Sequence, residues 1–179
     1  LSRAGHHFSE DHDMTDHQTA ALIDSLTADG LADVFKDAGY RVTLAEQNGV
    51  VQLLSASQGI GFAVSFGNPA VTPDDRQAAY IDWTFSCALQ VQGELPAELV
   101  PGWNRTRRFA RLSQQGPFVV LEHDVMVAGG VSPRYLRASI ELWDRLLQEF
   151  LLHLRNRPAL AEAEAAAGAA AAGPALAAS

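Results

Sequence analysis

One stretch of the chain repeats its large apolar residues with unusual regularity. Leu136, Ile140, Trp143, Leu147, Phe150 and Leu154 follow one another at spacings of four, three, four, three and four. Such spacing lines one face of an α-helix. Ser132 stands in front as an N-cap, and Pro133 takes the first helical position, where a missing amide is harmless. Leu142, Leu146, Leu151 and Leu152 widen the apolar arc beyond one stripe. Glu141 lies four residues from both Arg137 and Arg145 and supports an exposed side. An arc this wide needs cover from more than one neighbour. A sheet is expected to give one cover and a second subunit the other.

Upstream the period changes. Thr27 caps a short helix with Asp29 near its positive end, Leu31, Val34, Phe35 and Ala38 at helical spacing, and Gly39 as its stop. Tyr40, Val42 and Leu44 then alternate with Arg41 and Thr43. Asn48-Gly49 is a strong hairpin signal, and residues 50–55 form the return strand. Ile60, Phe62, Val64 and Phe66 make a third strand. Residues 67–79, with Pro69, Pro73, Asp74 and Asp75, read as a loop. Ile81, Trp83, Phe85, Cys87 and Leu89 alternate with Asp82, Thr84, Ser86 and Gln90, so this strand has one buried and one wet face. Pro96 opens a short helix through Leu99, Val100 and Trp103, which Pro101 is expected to divide. Residues 109–113 and 117–127 form a second hairpin around Gln115-Gly116, and Gly129-Gly130 turns the chain into the long helix. The order is helix, four strands, helix, two strands, helix. It predicts an α+β fold of two layers, with helices on one face of a twisted antiparallel sheet.

The folded domain is placed at residues 27–155. Residues 1–20 are polar and aperiodic and are expected to be a disordered extension. Met14 is a candidate start, which would make residues 1–13 additional. Residues 158–179 form an Ala/Gly-rich tail. Its only large apolar residues are Leu160 and Leu176, and Gly168, Gly173 and Pro174 interrupt it, so a frayed helix running into disorder is expected.

With 179 residues, 47% of them hydrophobic, the chain can bury a core without disulfides or metal. Its formal charge of −8 argues against nucleic-acid binding, which needs clustered cations. No run approaches the roughly 18 apolar residues of a membrane helix, and no membrane partner is expected. The start lacks an apolar signal core, and Cys87 is the only cysteine, so a reducing cytoplasm is the expected location. One lysine against twelve arginines fits a GC-rich bacterial genome.

The candidate chemistry is thin. His6, His7, His12 and His17 lie among acidic residues, but their spacing matches no structural zinc pattern, and a floppy segment must order itself to chelate. Glu122, His123 and Asp124 are adjacent on a strand, where side chains alternate, so His123 must point away from both carboxylates. Cys87 shares the apolar face and is expected to pack as a small hydrophobe. Gly59-Ile60-Gly61 is half a dinucleotide fingerprint, but it opens a strand and lacks the third glycine. Arg105, Arg107, Arg108 and Arg111 are the one basic cluster: either a site for an acidic ligand or cations placed at a helix end and paired with sheet carboxylates. No catalytic, cofactor-binding or metal-binding residue is assigned, no cofactor is expected, and the chain is read as a non-enzyme.

A longer pattern joins these pieces. Trp103-Asn104-Arg105, Arg108-Phe109-Ala110-Arg111, a hairpin, Asp124-Val125, Gly129-Gly130-Val131-Ser132 and the amphipathic helix resemble the YbjN family of bacterial sensory transduction regulators. Ala38-Gly39-Tyr40 resembles the family's opening. Two departures stand out: Ala110 where the family often has glycine, and the long loop at 67–79. The resemblance implies a fold similar to type III secretion chaperones, often dimeric, and no catalytic residue. A regulatory or chaperone-like module binding a protein or peptide is therefore expected, as a homodimer. Its partner or dimer surface is placed at Trp143, Leu146, Phe150 and Leu151. Arg105, Arg107, Arg108 and Arg111 are the candidate acidic-ligand cluster. The alternative is an enzyme or small-ligand protein with a polar pocket near Arg105, Arg108, Glu122 and Asp124.

Overall fold

A computed structural model describes residues 21–71 and 78–171, with side chains through residue 169. A two-residue strand, β1 (Leu26–Thr27), pairs with β5 (Ala79–Tyr80) and leads straight into helix α1 (Ala28–Asp37). Thr27 Oγ1 accepts the Gly30 amide at 3.0 Å, satisfying one of the amides that a helix start leaves unpaired.

The main sheet is antiparallel and six-stranded. Its order is β2 (Val42–Gln47), β3 (Val50–Ser57), β4 (Ile60–Phe66), β6 (Asp82–Gln90), β8 (Phe118–Met126) and β7 (Arg111–Gln115). Asn48 and Gly49, at φ of 54° and 77°, close the first hairpin; both positive angles suit a two-residue turn of the type that matches strand twist. Gln58 and Gly59 repeat those angles, 54° and 78°, between β3 and β4. Gly59 is thus a hairpin glycine, and β3 runs two residues beyond its expected end. At Gly67 a Cβ would run into the Asp82 carboxylate, which holds the Asn68 amide at 3.0 Å.

Helices α2 (Leu99–Thr106) and α3 (Pro133–Arg155) complete the layer above the sheet. Pro101 does not divide α2. It sits in the first turn, where no intrahelical amide bond is required, and the helix continues past it to Thr106. Ser132 caps α3 as expected, its Oγ accepting the Tyr135 amide at 3.3 Å.

The core lies between the sheet and the helices. Phe85 sits near its centre, stacked on Trp143 with centroids 5.2 Å apart and flanked by Phe35 and Phe62. The expected alternation holds on β4 and β6: Phe62, Val64, Trp83, Phe85 and Cys87 are all buried. Much of the arc of α3 is covered from within the chain, while Leu142 and Leu151 are half-buried and Leu152 is exposed. Phe62 packs edge-on against Trp143, and Trp103 of α2 packs edge-on against Phe150 at 6.2 Å.

Over the described residues the tail is helical and anchored. A fourth helix, α4 (Arg157–Ala171), follows α3, and Leu160 packs against the core. The Glu164 carboxylate accepts the Ala97 and Glu98 amides at 3.1 and 2.6 Å, just before α2. A single leucine and one anion at a helix start hold this segment, which apolar counting alone leaves unanchored. Leu176, Gly173 and Pro174, and the whole 1–20 extension, lie outside the described residues.

Candidate functional site

The polar triplet on β8 splits as the strand period requires. His123 lies opposite Phe85, while Glu122 and Asp124 lie opposite Ser86 and Thr84. The imidazole is 7% exposed, stacked on Phe85, with Nδ1 2.7 Å from the Phe109 carbonyl oxygen. Burial pushes its pKa below the ordinary histidine value, against the opposing pull of the Phe109 carbonyl and Asp124. A neutral ring donating from Nδ1 fits this setting. It pins Phe109, whose backbone holds φ +71°, a region a bulky residue enters only when its surroundings demand it.

Glu122 and Asp124 face the helix-free side of the sheet. Arg111, on the neighbouring strand, bonds both carboxylates. Thr84 Oγ1 donates to Asp124 Oδ1 at 2.6 Å. Burial acts to raise the Asp124 pKa, but the bonds from Arg111 and Thr84 outweigh it and hold the carboxyl below its usual range. These groups satisfy one another on an open, mostly wet surface. The arrangement is a surface ion-pair network, which stabilises modestly.

The four arginines do not share an acceptor. Arg105 reaches Glu98 at 2.7 Å, Arg107 reaches Glu149 at 2.9 Å and lies over the Trp103 ring, and Arg108 lies over the Phe109 ring. Only Arg111 meets Glu122 and Asp124. The polar pocket expected near Arg105, Arg108, Glu122 and Asp124 is therefore not assembled. Arg105 instead lines an apolar cleft of about 380 Å3 between α2 and α4, with Glu98, His153, Leu160 and Glu164. The structure also places the candidate partner surface on α3. Trp143, Leu146 and Phe150 are core residues, and Leu151 is half-buried; the strongly exposed leucine of that helix is Leu152.

Asn104, part of the Trp103-Asn104-Arg105 run, has a structural role that the sequence pattern does not reveal. Its side-chain amide forms two bonds with one backbone residue of the edge strand β7. Asn104 Nδ2 donates to the Leu112 carbonyl at 2.9 Å, and the Leu112 amide donates to Asn104 Oδ1 at 2.8 Å. The side chain thus supplies both bonds that a further strand would make. Beside it Trp103 Nε1 donates to the Ala110 carbonyl at 3.2 Å. Gly129 and Gly130 both hold positive φ, at 90° and 94°, before the Ser132 cap.

This run of Trp, Asn, Arg, Gly-Gly and cap residues spans the second half of a recognisable unit. The sequence model of YbjN, described as "Putative bacterial sensory transduction regulator", matches residues 27–156. The chain belongs to the YbjN family. No curated protein and no solved structure matches it. The YbjN match begins at the N-cap of α1 and ends at the C-cap of α3, so α4 lies outside it. Within the match, the motif residues act on the fold: an edge plug, an indole bond, two turn glycines and a helix cap.

Cys87 is fully buried, and burial pushes its thiol up to about 11. Among the described residues no group of three or more His, Cys, Asp or Glu side chains is placed to hold a metal ion; the histidines of the 1–20 extension lie outside them. No described helix is long and apolar enough to cross a membrane.

Proposed function

We propose that this YbjN protein is a non-enzymatic regulatory, chaperone-like module that binds a protein or peptide in the bacterial cytoplasm. The observation that carries the reading is the helix-free face of the sheet. Cross-strand register sets Thr43, Leu54, Ala63 and Ser86 in one row and Ala45, Gln52, Ser65 and Thr84 in the next. These side chains are short or uncharged, and none of α1, α2 or α3 packs on them. A flat, low-charge surface of this kind suits an extended or helical partner segment better than a small ligand, which needs a concave site. The family's regulatory description agrees with it.

The test is affinity capture from the native lysate with the parent chain and with Ala63→Arg, which plants a charge at the centre of the face. One protein retained by the parent and lost by A63R supports the reading. Equal retention by both, or retention of nothing by either, overturns it.

A further inference from the structure

The two edges of the main sheet are treated differently. At β7 the outward backbone of Leu112 is closed by the Asn104 side chain. At β2 no described residue does this job. The turn at Asn48-Gly49 makes Gln47 and Val50 a hydrogen-bonded pair, and the pattern alternates from there. Ala45 and Thr43 therefore bond inward to β3, while the amides and carbonyls of Val42, Leu44 and Glu46 point away from the sheet. No hydrogen bond from any other described residue reaches them. Edges are normally protected by proline, charged side chains, a bulge or a cover. β2 has no proline and a single charge, Glu46, near its end, pairs with β3 through six unbroken positions, and leaves Leu44 38% exposed.

We infer that β2 pairs antiparallel with β2 of a second copy, about a two-fold axis through Leu44. The register follows from the strand itself. Antiparallel pairing places opposite residues on the same face, so the axis must pass through a residue rather than a peptide. Centred on Leu44, all three outward residues find outward partners: Leu44 meets Leu44 of the second copy, and Val42 meets its Glu46 in both directions. Axes through Thr43 or Ala45 leave one outward residue of the strand facing beyond the partner strand. Thr43 then faces Ala45 of the second copy, and Arg41 faces its Gln47. No like charges are opposed. The two Glu46 side chains lie about 14 Å apart along the strands, beyond the screening length of about 8–10 Å. The pairing joins two sheets into one and uses the edge, leaving the helix-free face available. It stands apart from the partner-binding reading.

The experiment is sedimentation equilibrium of the full chain over a wide concentration range, with variants. Leu44→Pro removes an outward amide without touching the bonds to β3. Leu44→Lys adds an edge charge and keeps the backbone, so it decides the matter if L44P fails to fold. Each is expected to raise the dimer dissociation constant by roughly tenfold or more with unchanged circular dichroism. As a positional probe, Thr43→Cys and Ala45→Cys chains are mixed and oxidised. Those positions form a non-hydrogen-bonded pair within disulfide reach, whereas two copies of T43C do not meet. The mixture is expected to cross-link and T43C alone is not. A parent chain that stays monomeric throughout, a dimer indifferent to L44K, or equal cross-linking of T43C alone and the mixture would overturn the proposal.

Discussion

Replacing Asn104 with leucine keeps the side-chain volume and deletes both bonds to Leu112. Each bond is part-buried and contributes on the order of 0.5–1.5 kcal/mol net, so the pair predicts a loss of about 1–3 kcal/mol. The upper half applies if the Leu112 peptide groups stay shielded beneath the new side chain, and the lower half if water reaches the edge. For a domain of this size each kcal/mol moves the midpoint by about 2–4 °C. Urea unfolding is the assay. Trp83, Trp103 and Trp143 are all buried, so tryptophan fluorescence reports the transition directly. The slope against urea should stay unchanged, because the same surface is exposed on unfolding. Asn104→Asp separates the two bonds: it keeps an acceptor for the Leu112 amide but sets a carboxylate oxygen against the Leu112 carbonyl, and is expected to fall at or below the leucine variant. N104L should also self-associate more than the parent, because the β7 edge is then unplugged. Stability within 0.5 kcal/mol of the parent, roughly the ordinary scatter of surface substitutions, would refute the plug.

Three further outcomes follow. Cys87, with its thiol pushed up to about 11 and no exposure, should resist a thiol-specific reagent at pH 8 and react in full only once the chain is unfolded; fast reaction of the native protein would contradict its burial. His123 has a folded pKa below its unfolded value of about 6.5, so the unfolded chain takes up a proton first as the pH falls. Stability should therefore decline from about pH 7 downward, by at most about 1.4 kcal/mol per pH unit from this group, and His123→Gln should flatten that part of a pH series of unfolding curves. Glu164→Gln weakens the anion at the start of α2 by about 0.3–1 kcal/mol, and hydrogen exchange should quicken at the Ala97 and Glu98 amides while β6 and β8 stay unchanged. Unaltered exchange at those two amides would mean that α4 is not held there.

The parts of this fold legible in the sequence are those where local geometry decides. The period of two on β8 was enough to separate His123 from Glu122 and Asp124, because alternation needs no knowledge of neighbours. Asn48-Gly49 was readable because both residues tolerate positive φ; Gln58-Gly59 makes the same turn with a residue that rarely does, and so carried no signal. The missing parts depend on partners distant in sequence. The apolar arc of α3 shows its own width but not that Phe62, Phe85 and Trp103 will cover it. Pro101 looked like a break because its distance from the true helix start was unknown. Glu164 reaches amides more than sixty residues away, a contact that composition cannot suggest. Asn104 is the hardest case, since only three-dimensional placement turns an amide side chain into the last bond of a sheet.

That role bears on how the family pattern should be read. If Asn104, Trp103, the glycine pair and the Ser132 cap all serve the edge, the hairpin and the helix start, then the family motif specifies a scaffold rather than a reaction. Arginines in such a motif acquire a similar meaning: Arg107 and Arg111 tie α2 and β7 to carboxylates on α3 and β8. Residues that vary the function must then lie where the scaffold makes no demand. The places proposed for this chain are the rows around Ala63 on the helix-free face and the edge strand around Leu44. The first is flat and uncharged at its centre, and the second carries outward backbone groups that no described residue bonds, with a self-complementary register. A regulator built this way would change its partner by altering small surface side chains while its motif stayed fixed. Ala63→Arg, and Leu44→Lys at concentrations where the parent is monomeric, should therefore leave the unfolding midpoint nearly unmoved while they weaken the proposed associations, the opposite of the pattern expected at Asn104.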